Sequence, residues 1–313
     1  MTNKKCLVID LMHESLFSMM KEIGWEVDYQ PHITREEIKA IHHGYAGLIV
    51  RSKTPIDRDL LGENPTIKFI GRAGAGLDNL ELEYLSQKGI HVLHASEGNR
   101  DAVGEHAVGM LLSLLRNIPK ADHEVKESIW DREGNRGEEL MGKTIGIIGY
   151  GNMGQAFAKR LSGFGCTVLA YDKYKTSFSD TFCTEVDLKT IFSETDILSL
   201  HIPLTVETKL MVNKEFLSQF NKKIILMNTA RGEIVSLFDI AAALENGKVR
   251  GVALDVLENE KLNTLTQQQM STFNLMRKKT NVLFTPHIAG WTFESHIKIN
   301  VALIQKINAL QLV

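Results

Sequence analysis

Two side chains that could do chemistry follow apolar segments of the chain directly. Arg231 comes just after apolar residues 224–227, and His287 comes just after residues 281–284. A guanidinium can bind a carboxylate and its neighbouring carbonyl through paired hydrogen bonds. A histidine can take or give a proton near neutral pH. The alternatives are a surface arginine paired with Glu233 and a histidine with a purely structural role.

Spacing leaves open which acidic residue accompanies the histidine. Asp255, Glu258 and Glu260 all follow the apolar segment 249–254. A carboxylate hydrogen-bonded to an imidazole orients the ring for proton transfer. Together the three groups predict one reaction, in which the arginine binds a 2-hydroxy or 2-oxo acid and the histidine takes the hydroxyl proton as a hydride leaves C2. We expect no metal, because no His/Cys/Asp cluster has ligand spacing.

A dinucleotide-binding signature occupies residues 144–172. An apolar segment leads into the run Gly149-Tyr150-Gly151-Asn152-Met153-Gly154. We expect Gly149 to form a tight turn, Gly151 to let a pyrophosphate reach the backbone and Gly154 to let the next helix pack on the sheet. The N–H groups at the start of that helix, around Asn152 and Met153, would bind the phosphates.

The acidic residue of this signature is Asp172, which lies 23 residues after Gly149. Its carboxylate can accept hydrogen bonds from both ribose hydroxyls and would repel a 2′-phosphate, which favours NAD over NADP. The alternative is a glycine turn in some other α/β protein.

Composition and charge exclude several classes of protein. The chain has 313 residues, of which 43% are hydrophobic and 24% are charged, with a net charge of −2. This length allows two domains, and there is no basic surplus for nucleic-acid binding. The sequence begins without a signal peptide, and its longest apolar stretch, residues 107–115, is too short to cross a bilayer. We therefore expect a cytoplasmic protein that does not bind membranes.

The elements that must position these residues alternate between strand and helix. Alternation over residues 6–93 predicts a parallel sheet with helices on both sides. Residues 99–118 predict one long helix that leads into a second doubly wound lobe, which ends near residue 287. Residues 293–310 predict a last helix, and residues 258–280 predict a polar surface excursion with one helical turn. The fold class is α/β, with two doubly wound, parallel-sheet lobes.

The motifs taken together resemble the D-isomer-specific 2-hydroxyacid dehydrogenases over nearly the whole chain. The likeness is carried by residues 228–232, residues 254–256 with Glu260, and residues 285–290, all downstream of the glycine turn. It implies that Glu260 is the acid and that Asp255 lies near the nicotinamide carboxamide. It also implies a substrate-binding domain of residues 1–98 and 288–313, an NAD-binding domain of residues 99–287, an active site in the cleft between them, and a homodimer through the NAD-binding domain.

The resemblance extends to further binding residues. It assigns cofactor contacts to His201, Pro203, Thr208, Thr229, Ala230 and Gly290. It assigns substrate contacts to the backbone amides of Ala75 and Gly76, to the loop residues Arg51, Ser52 and Lys53, and to Asn99.

Within the family, the loop 50–54 and the segment 97–100 resemble those of the D-3-phosphoglycerate dehydrogenases. This implies NAD-dependent oxidation of D-3-phosphoglycerate in serine synthesis, by a short form without a regulatory C-terminal domain. Two residues depart from the family pattern: Lys261 replaces a proline, and Trp291 replaces a small residue, which bears on the substrate. The alternatives are a hydroxypyruvate or glyoxylate reductase, another D-2-hydroxyacid dehydrogenase, or an NAD(H)-sensing corepressor-like binding protein.

Overall fold

The computed structural model describes residues 4–312, which form two compact units. Unit 1 runs to Arg100 and resumes at Trp291, and unit 2 is Asp101–Gly290. The predicted boundaries, after residues 98 and 287, precede these by two and three residues. No helix within residues 4–312 is long and apolar enough to span a membrane.

The described residues contain twelve strands. They are β1 (Lys5–Val8), β2 (Glu26–Tyr29), β3 (Gly47–Val50), β4 (Phe69–Arg72), β5 (His91–His94), β6 (Thr144–Ile148), β7 (Thr167–Tyr171), β8 (Thr184–Glu185), β9 (Ile197–Leu200), β10 (Ile224–Asn228), β11 (Val249–Leu254) and β12 (Val282–Phe284).

The same residues contain twelve α-helices. They are α1 (Ser15–Glu22), α2 (Arg35–Ile41), α3 (Arg58–Leu61), α4 (Leu82–Gln87), α5 (Ser96–Leu115), α6 (Ile118–Lys126), α7 (Asn152–Leu161), α8 (Leu188–Glu194), α9 (Lys214–Ser218), α10 (Leu237–Glu245), α11 (Gln267–Met276) and α12 (Phe293–Ala309).

The sheet of unit 1 has five parallel strands in the order β2-β1-β3-β4-β5. Side chains of successive strand residues point to opposite faces of the sheet, and helices cover each of these faces. Leu7 and Leu48 pack with residues of α2, α3 and α4. Val8 and Ile49 pack on the other face with residues of α1 and with Leu303 of α12. The C-terminal helix therefore completes the core of unit 1.

The sheet of unit 2 has seven parallel strands in the order β12-β11-β10-β9-β6-β7-β8. The order reverses between β6 and β9, which is the switch point where doubly wound sheets bind ligands. Leu198 and Leu226 face α10, and Ile147 and Met227 face a core that includes Phe157 of α7. The two sheets confirm the predicted fold class of two doubly wound lobes.

One prediction about helices is wrong, and another has the right element with shifted bounds. The predicted polar excursion contains the ten-residue helix α11, because Thr266 and Gln269 form a capping box at its start and Met276 is fully buried at its end. The predicted long helix 99–118 is present as the 20-residue α5, which begins and ends three residues earlier, and a separate α6 follows it. The break falls at Asn117, whose φ of 53° is left-handed and ends the regular helix.

Candidate active site

The three predicted chemical groups of unit 2 lie in loops that follow three adjacent strands. Arg231 follows β10, Glu260 follows β11 and His287 follows β12. These strands are neighbours and parallel, so their carboxyl ends lie side by side at one edge of the sheet. The sheet therefore explains why three loops distant in sequence leave it at the same edge.

Of the three competing acids, Glu260 is the one that meets His287. The imidazole Nδ1 lies 2.9 Å from Oε1 and 3.1 Å from Oε2 of Glu260. Glu258 instead accepts a 2.6 Å hydrogen bond from the backbone N–H of Leu237, at the start of α10. Both side chains of the Glu260–His287 pair are nearly half exposed, at 47% and 46%. A substrate can therefore reach the ring from solvent.

Asp255 holds the loop that carries His287. Its carboxylate accepts hydrogen bonds from the Thr285 hydroxyl (2.6 Å) and from the N–H groups of Ile288 and Ala289 (both 2.9 Å). The N–H of His287 donates to the carbonyl of Asp255 at 2.7 Å. These bonds hold the backbone of His287 in a left-handed conformation with a φ of 55°. This conformation is uncommon for residues other than glycine.

The carboxylate of Asp255 is 1% exposed and remains charged. Burial alone would raise its pKa, but hydrogen bonds from His106, Thr285 and the loop amides outweigh burial, and the pKa of Asp255 lies below its usual value. The Nε2 atom of His106, on α5, is 3.5 Å from this carboxylate and 3.1 Å from the Thr285 hydroxyl. Sequence reasoning missed His106, because one histidine on an apolar helix face gives no distinctive signal.

The Arg231 loop is held by the buried side chain of Asn228. The amide of Asn228 donates to the carbonyl of Arg231 at 2.8 Å and accepts from the N–H of Ala230 at 2.9 Å. Nη1 of Arg231 donates to the carbonyl of Ala230 at 2.6 Å. The next residue, Gly232, lies against the backbone of the β11 loop, since a Cβ there would be 1.9 Å from the carbonyl carbon of Leu257. A side chain at position 232 would push apart the loops of Arg231 and Glu260.

The glycine turn has the geometry that the sequence predicts. Gly149 has a φ of 93°, and a Cβ there would lie 2.5 Å from the carbonyl oxygen of His201. A Cβ on Gly154 would lie 2.2 Å from the oxygen of Gly149, which explains the close approach of α7 to the sheet. The space beside Gly151 is open to at least 4 Å, so a pyrophosphate could approach its backbone. α7 begins at Asn152, followed by Met153, and its first N–H groups face the same turn.

Asp172 binds the glycine turn itself. Its carboxylate accepts hydrogen bonds from the N–H groups of Tyr150 (2.8 Å), Tyr174 (2.9 Å) and Lys175 (3.2 Å). A carboxylate has about four acceptor positions, so about one remains for a ribose hydroxyl rather than the two that the sequence predicted. Asp172 thus joins the end of β7 to the turn after β6.

The other predicted cofactor residues of unit 2 lie in neighbouring loops. His201 follows β9, where its Nε2 is 2.9 Å from the Ser199 hydroxyl, and burial lowers the pKa of His201 to about 4. The Thr208 hydroxyl donates to the carbonyl of Pro203 at 2.7 Å. Thr229 has a buried hydroxyl with no hydrogen-bond partner among the described residues, so a bound molecule could supply one. Ala230 precedes Arg231, and Gly290 ends the unit. Of these residues, Thr229 offers the group best suited to a bound dinucleotide.

The predicted substrate residues of unit 1 fall into two groups. The ammonium of Lys53 is already bound by three carbonyls, those of Ile9 (2.6 Å), Pro31 (2.9 Å) and Ile33 (3.1 Å). Arg51 differs, because no acceptor within the described part of the chain binds its guanidinium, and its Nε is buried without a partner. The structure thus separates two basic residues that the sequence treated alike.

The Arg51 loop is fixed by two residues that sequence reasoning missed. The N–H of Arg51 donates to Oδ2 of Asp10 at 2.5 Å, and the amide of Asn79 donates to the carbonyl of Arg51 at 3.0 Å. Asp10 follows β1 in the same way that Arg51 follows β3, and that position could have identified it. Ser52 is exposed on this loop.

The remaining predicted substrate groups have unused hydrogen-bonding capacity. Within residues 4–312, the N–H groups of Ala75 and Gly76, after β4, donate to no protein acceptor. The side-chain oxygen of Asn99, in the first turn of α5, is buried without a partner. Two free amides and an unpaired carboxamide suit an anionic or hydroxylated ligand.

Comparisons with known proteins agree with this arrangement. The family described as D-isomer specific 2-hydroxyacid dehydrogenase, NAD binding domain, matches residues 108–289. A hydroxypyruvate reductase of Thermotoga maritima is 36% identical over 88% of this chain and 88% of its own length. A D-3-phosphoglycerate dehydrogenase of Archaeoglobus fulgidus is 35% identical over 97% of this chain, which spans only 56% of that protein. A D-lactate dehydrogenase of Aquifex aeolicus, solved with NAD and lactic acid, superposes with a TM-score of 0.82 at 27% identity, covering 98% of this chain and 95% of that one.

Proposed function

This chain belongs to the D-isomer-specific 2-hydroxyacid dehydrogenases, which use a nicotinamide cofactor, and from that premise we propose that it oxidises D-3-phosphoglycerate to 3-phosphohydroxypyruvate with NAD. The reaction would serve serine synthesis. The observation that carries the choice of substrate is the half-buried guanidinium of Arg51, which has no acceptor within residues 4–312. A phosphate supplies paired acceptors for such a group.

Three residues of unit 2 carry the proton transfer and the binding of the carboxylate in this proposal. Glu260 holds Nδ1 of His287, which leaves Nε2 to take the proton from the substrate hydroxyl. Arg231 binds the substrate carboxylate and the oxygen on C2 with its planar fork of donors. A bound nicotinamide would supply the hydride acceptor for C2 of the substrate. In unit 1, the amides of Ala75 and Gly76, which donate to no acceptor within residues 4–312, are suited to bind an anionic group.

A substrate panel tests the proposal. Rates of reduction by NADH would be measured for 3-phosphohydroxypyruvate, hydroxypyruvate, glyoxylate and pyruvate. We expect the phosphorylated substrate to have the highest kcat/KM, because only it offers a phosphate to Arg51. Equal or faster reduction of any of the other three would refute the proposal.

Reduction of hydroxypyruvate is the second candidate, and the relative from Thermotoga maritima supports it. Arg51→Ala separates the two functions. Loss of a charged hydrogen-bonding group should cost about 1.5 to 3 kcal/mol of transition-state binding for the phosphorylated substrate alone. If hydroxypyruvate is the substrate, Arg51→Ala should change kcat/KM for both compounds by similar, small factors.

We also propose that two copies associate through unit 2. Support comes from the α6 segment, which we define as residues 118–130. Its helix has no buried residue, and its apolar side chains Ile118 (51%), Val125 (52%), Ile129 (50%) and Trp130 (80%) are exposed. Such a concentration of exposed apolar side chains is typical of a protein interface.

A further inference from the structure

The guanidinium of Arg51 is held in place without being neutralised by a hydrogen-bonded partner. Its loop is fixed by Asp10 and Asn79, yet within the described residues its side chain donates to no acceptor. Burial lowers the pKa of Arg51, while the charge of Asp10 opposes this effect. A half-buried guanidinium that lacks an acceptor is costly, so its position points to an anionic ligand.

What the guanidinium does contact is Trp291. The Cζ atom of Arg51 lies 4.7 Å from the centroid of the indole ring, within the range of a cation–π interaction. The ring of His296 meets the indole at a centroid distance of 4.7 Å and an angle of 89°. Both aromatic residues belong to unit 1, as does Arg51. The indole therefore contacts both an imidazole and the guanidinium of Arg51.

The position of Trp291 does not suit a core residue. It is 61% exposed, although large aromatic side chains are usually buried. It also stands directly before Thr292, the first residue of a capping box with Ser295, so its backbone is fixed at the start of α12. An exposed indole on a rigid helix start has little to gain from packing and can hold a charged partner in a constant place.

We infer that Trp291 determines substrate specificity by holding the guanidinium of Arg51 against its ring, so that the pair binds a second anionic group, phosphate or carboxylate, at the far end of a 2-hydroxy or 2-oxo acid. The phosphate form of this inference rests on the proposed function. A cation–π contact uses none of the N–H donors of the guanidinium, so these donors remain available to the ligand. Trp291 is a positioning residue, since it acts through Arg51.

The test is a double-mutant cycle of Trp291→Ala and Arg51→Ala, assayed with NADH. Substrates with a second anion, 3-phosphohydroxypyruvate and 2-oxoglutarate, would be compared with hydroxypyruvate and glyoxylate, which have none. We expect Trp291→Ala to raise KM for the favoured dianionic substrate by about 2- to 30-fold, with little change in kcat. In the Arg51→Ala background the same substitution should have almost no further effect.

Two further variants test whether the effect requires an aromatic ring at position 291 and whether it is specific to that position. Trp291→Phe retains an aromatic face and should restore part of the lost affinity. Phe293→Ala removes a neighbouring aromatic side chain that is 92% exposed, and should leave all four substrates unchanged. Affinity for NADH, measured by fluorescence titration, should be the same in every variant.

The outcomes separate this inference from the proposed function. A wild-type preference for 3-phosphohydroxypyruvate, with equal losses from Trp291→Ala for all substrates, would overturn the inference and leave the function standing. A preference for 2-oxoglutarate with the expected coupling would overturn the proposed function and support the inference. A wild-type enzyme that favours a substrate without a second anion would overturn both.

Discussion

The imidazole of His287 has its Nδ1 atom turned to Glu260, which leaves Nε2 for a substrate hydroxyl. Its backbone is held at a φ of 55° by bonds to Asp255, so the ring is placed by a deeply buried neighbour. Position in the chain predicted the histidine and the arginine. It could not choose among three acids within six residues, because the turn of a loop decides which side chain faces the ring.

We expect His287→Ala to lower kcat by about 100- to 10,000-fold, because the group that takes the substrate proton is removed. Binding of NADH should be nearly unchanged, as measured by fluorescence titration. Glu260→Gln should also lower kcat. Glu258→Gln is the matched control, because its amide oxygen can still accept from Leu237, and it should retain near wild-type turnover. Loss of NADH affinity in His287→Ala would show that the role of His287 is misassigned.

At the scale of elements, the site depends on two loops that touch through their backbones. A side chain at Gly232, after β10, would collide with the backbone of Leu257 in the β11 loop. The motif around Arg231 thus includes its glycine for a steric reason. The sequence predicted Arg231 beside a glycine, but the neighbour that requires this glycine lies 25 residues later in the chain, and only the folded sheet brings it close.

Gly232→Ala should destabilise the protein by about 1 to 3 kcal/mol, because the added methyl group must displace a backbone. It should also lower kcat, since the displaced loop carries Glu260. Thermal unfolding and steady-state kinetics measure the two effects. Gly163→Ala is the control in the same unit, because nothing lies within 4 Å of a Cβ there, and it should be nearly neutral. Equal behaviour of the two variants would contradict the steric argument.

At the scale of the whole molecule, stability should depend on two histidines with lowered pKa values, the buried His42 and the partly buried His201. Burial lowers the pKa of His42, in unit 1, and of His201, in unit 2, each to about 4, from an ordinary value of 6.5. The repulsion of neighbouring His43 adds to the effect at His42. Between pH 6.5 and about 4 the unfolded chain binds protons that the folded chain does not. The neutral His42 and His201 therefore make their full contribution to stability above pH 6.5, and this contribution is lost as the pH falls towards 4.

The midpoint of thermal unfolding should thus decrease between pH 7 and pH 5, before most carboxylates titrate. His201→Asn should make this decrease smaller, because one of the two histidines no longer titrates. His91→Asn, at an exposed position, should leave the pH dependence as in the wild type. An unfolding midpoint that stays constant from pH 7 to pH 5 would contradict the burial of these rings.

Association through the α6 segment is the second prediction at this scale. Trp130→Glu places a charge on the most exposed apolar residue of the segment and should shift the molar mass in solution from dimer to monomer. Size-exclusion chromatography with light scattering measures the mass. Tyr174→Glu is the matched control in unit 2, since Tyr174 is 79% exposed and lies outside the segment. A wild-type protein that is monomeric at all concentrations would disprove the association.

By itself, the sequence determined the alternation of strands and helices, the glycine turn, and the positions of Arg231 and His287 after strands. These features depend on the local periodicity of apolar residues and on the special properties of glycine, arginine and histidine. Short segments are therefore enough to reveal them. Tertiary structure alone decided that Glu260 meets His287, that Asp172 accepts three hydrogen bonds from the protein, and that carbonyls bind Lys53 while the Arg51 guanidinium has no acceptor within residues 4–312. Those outcomes depend on contacts between segments that are far apart in the chain. The spacing of residues within one segment does not reveal such contacts.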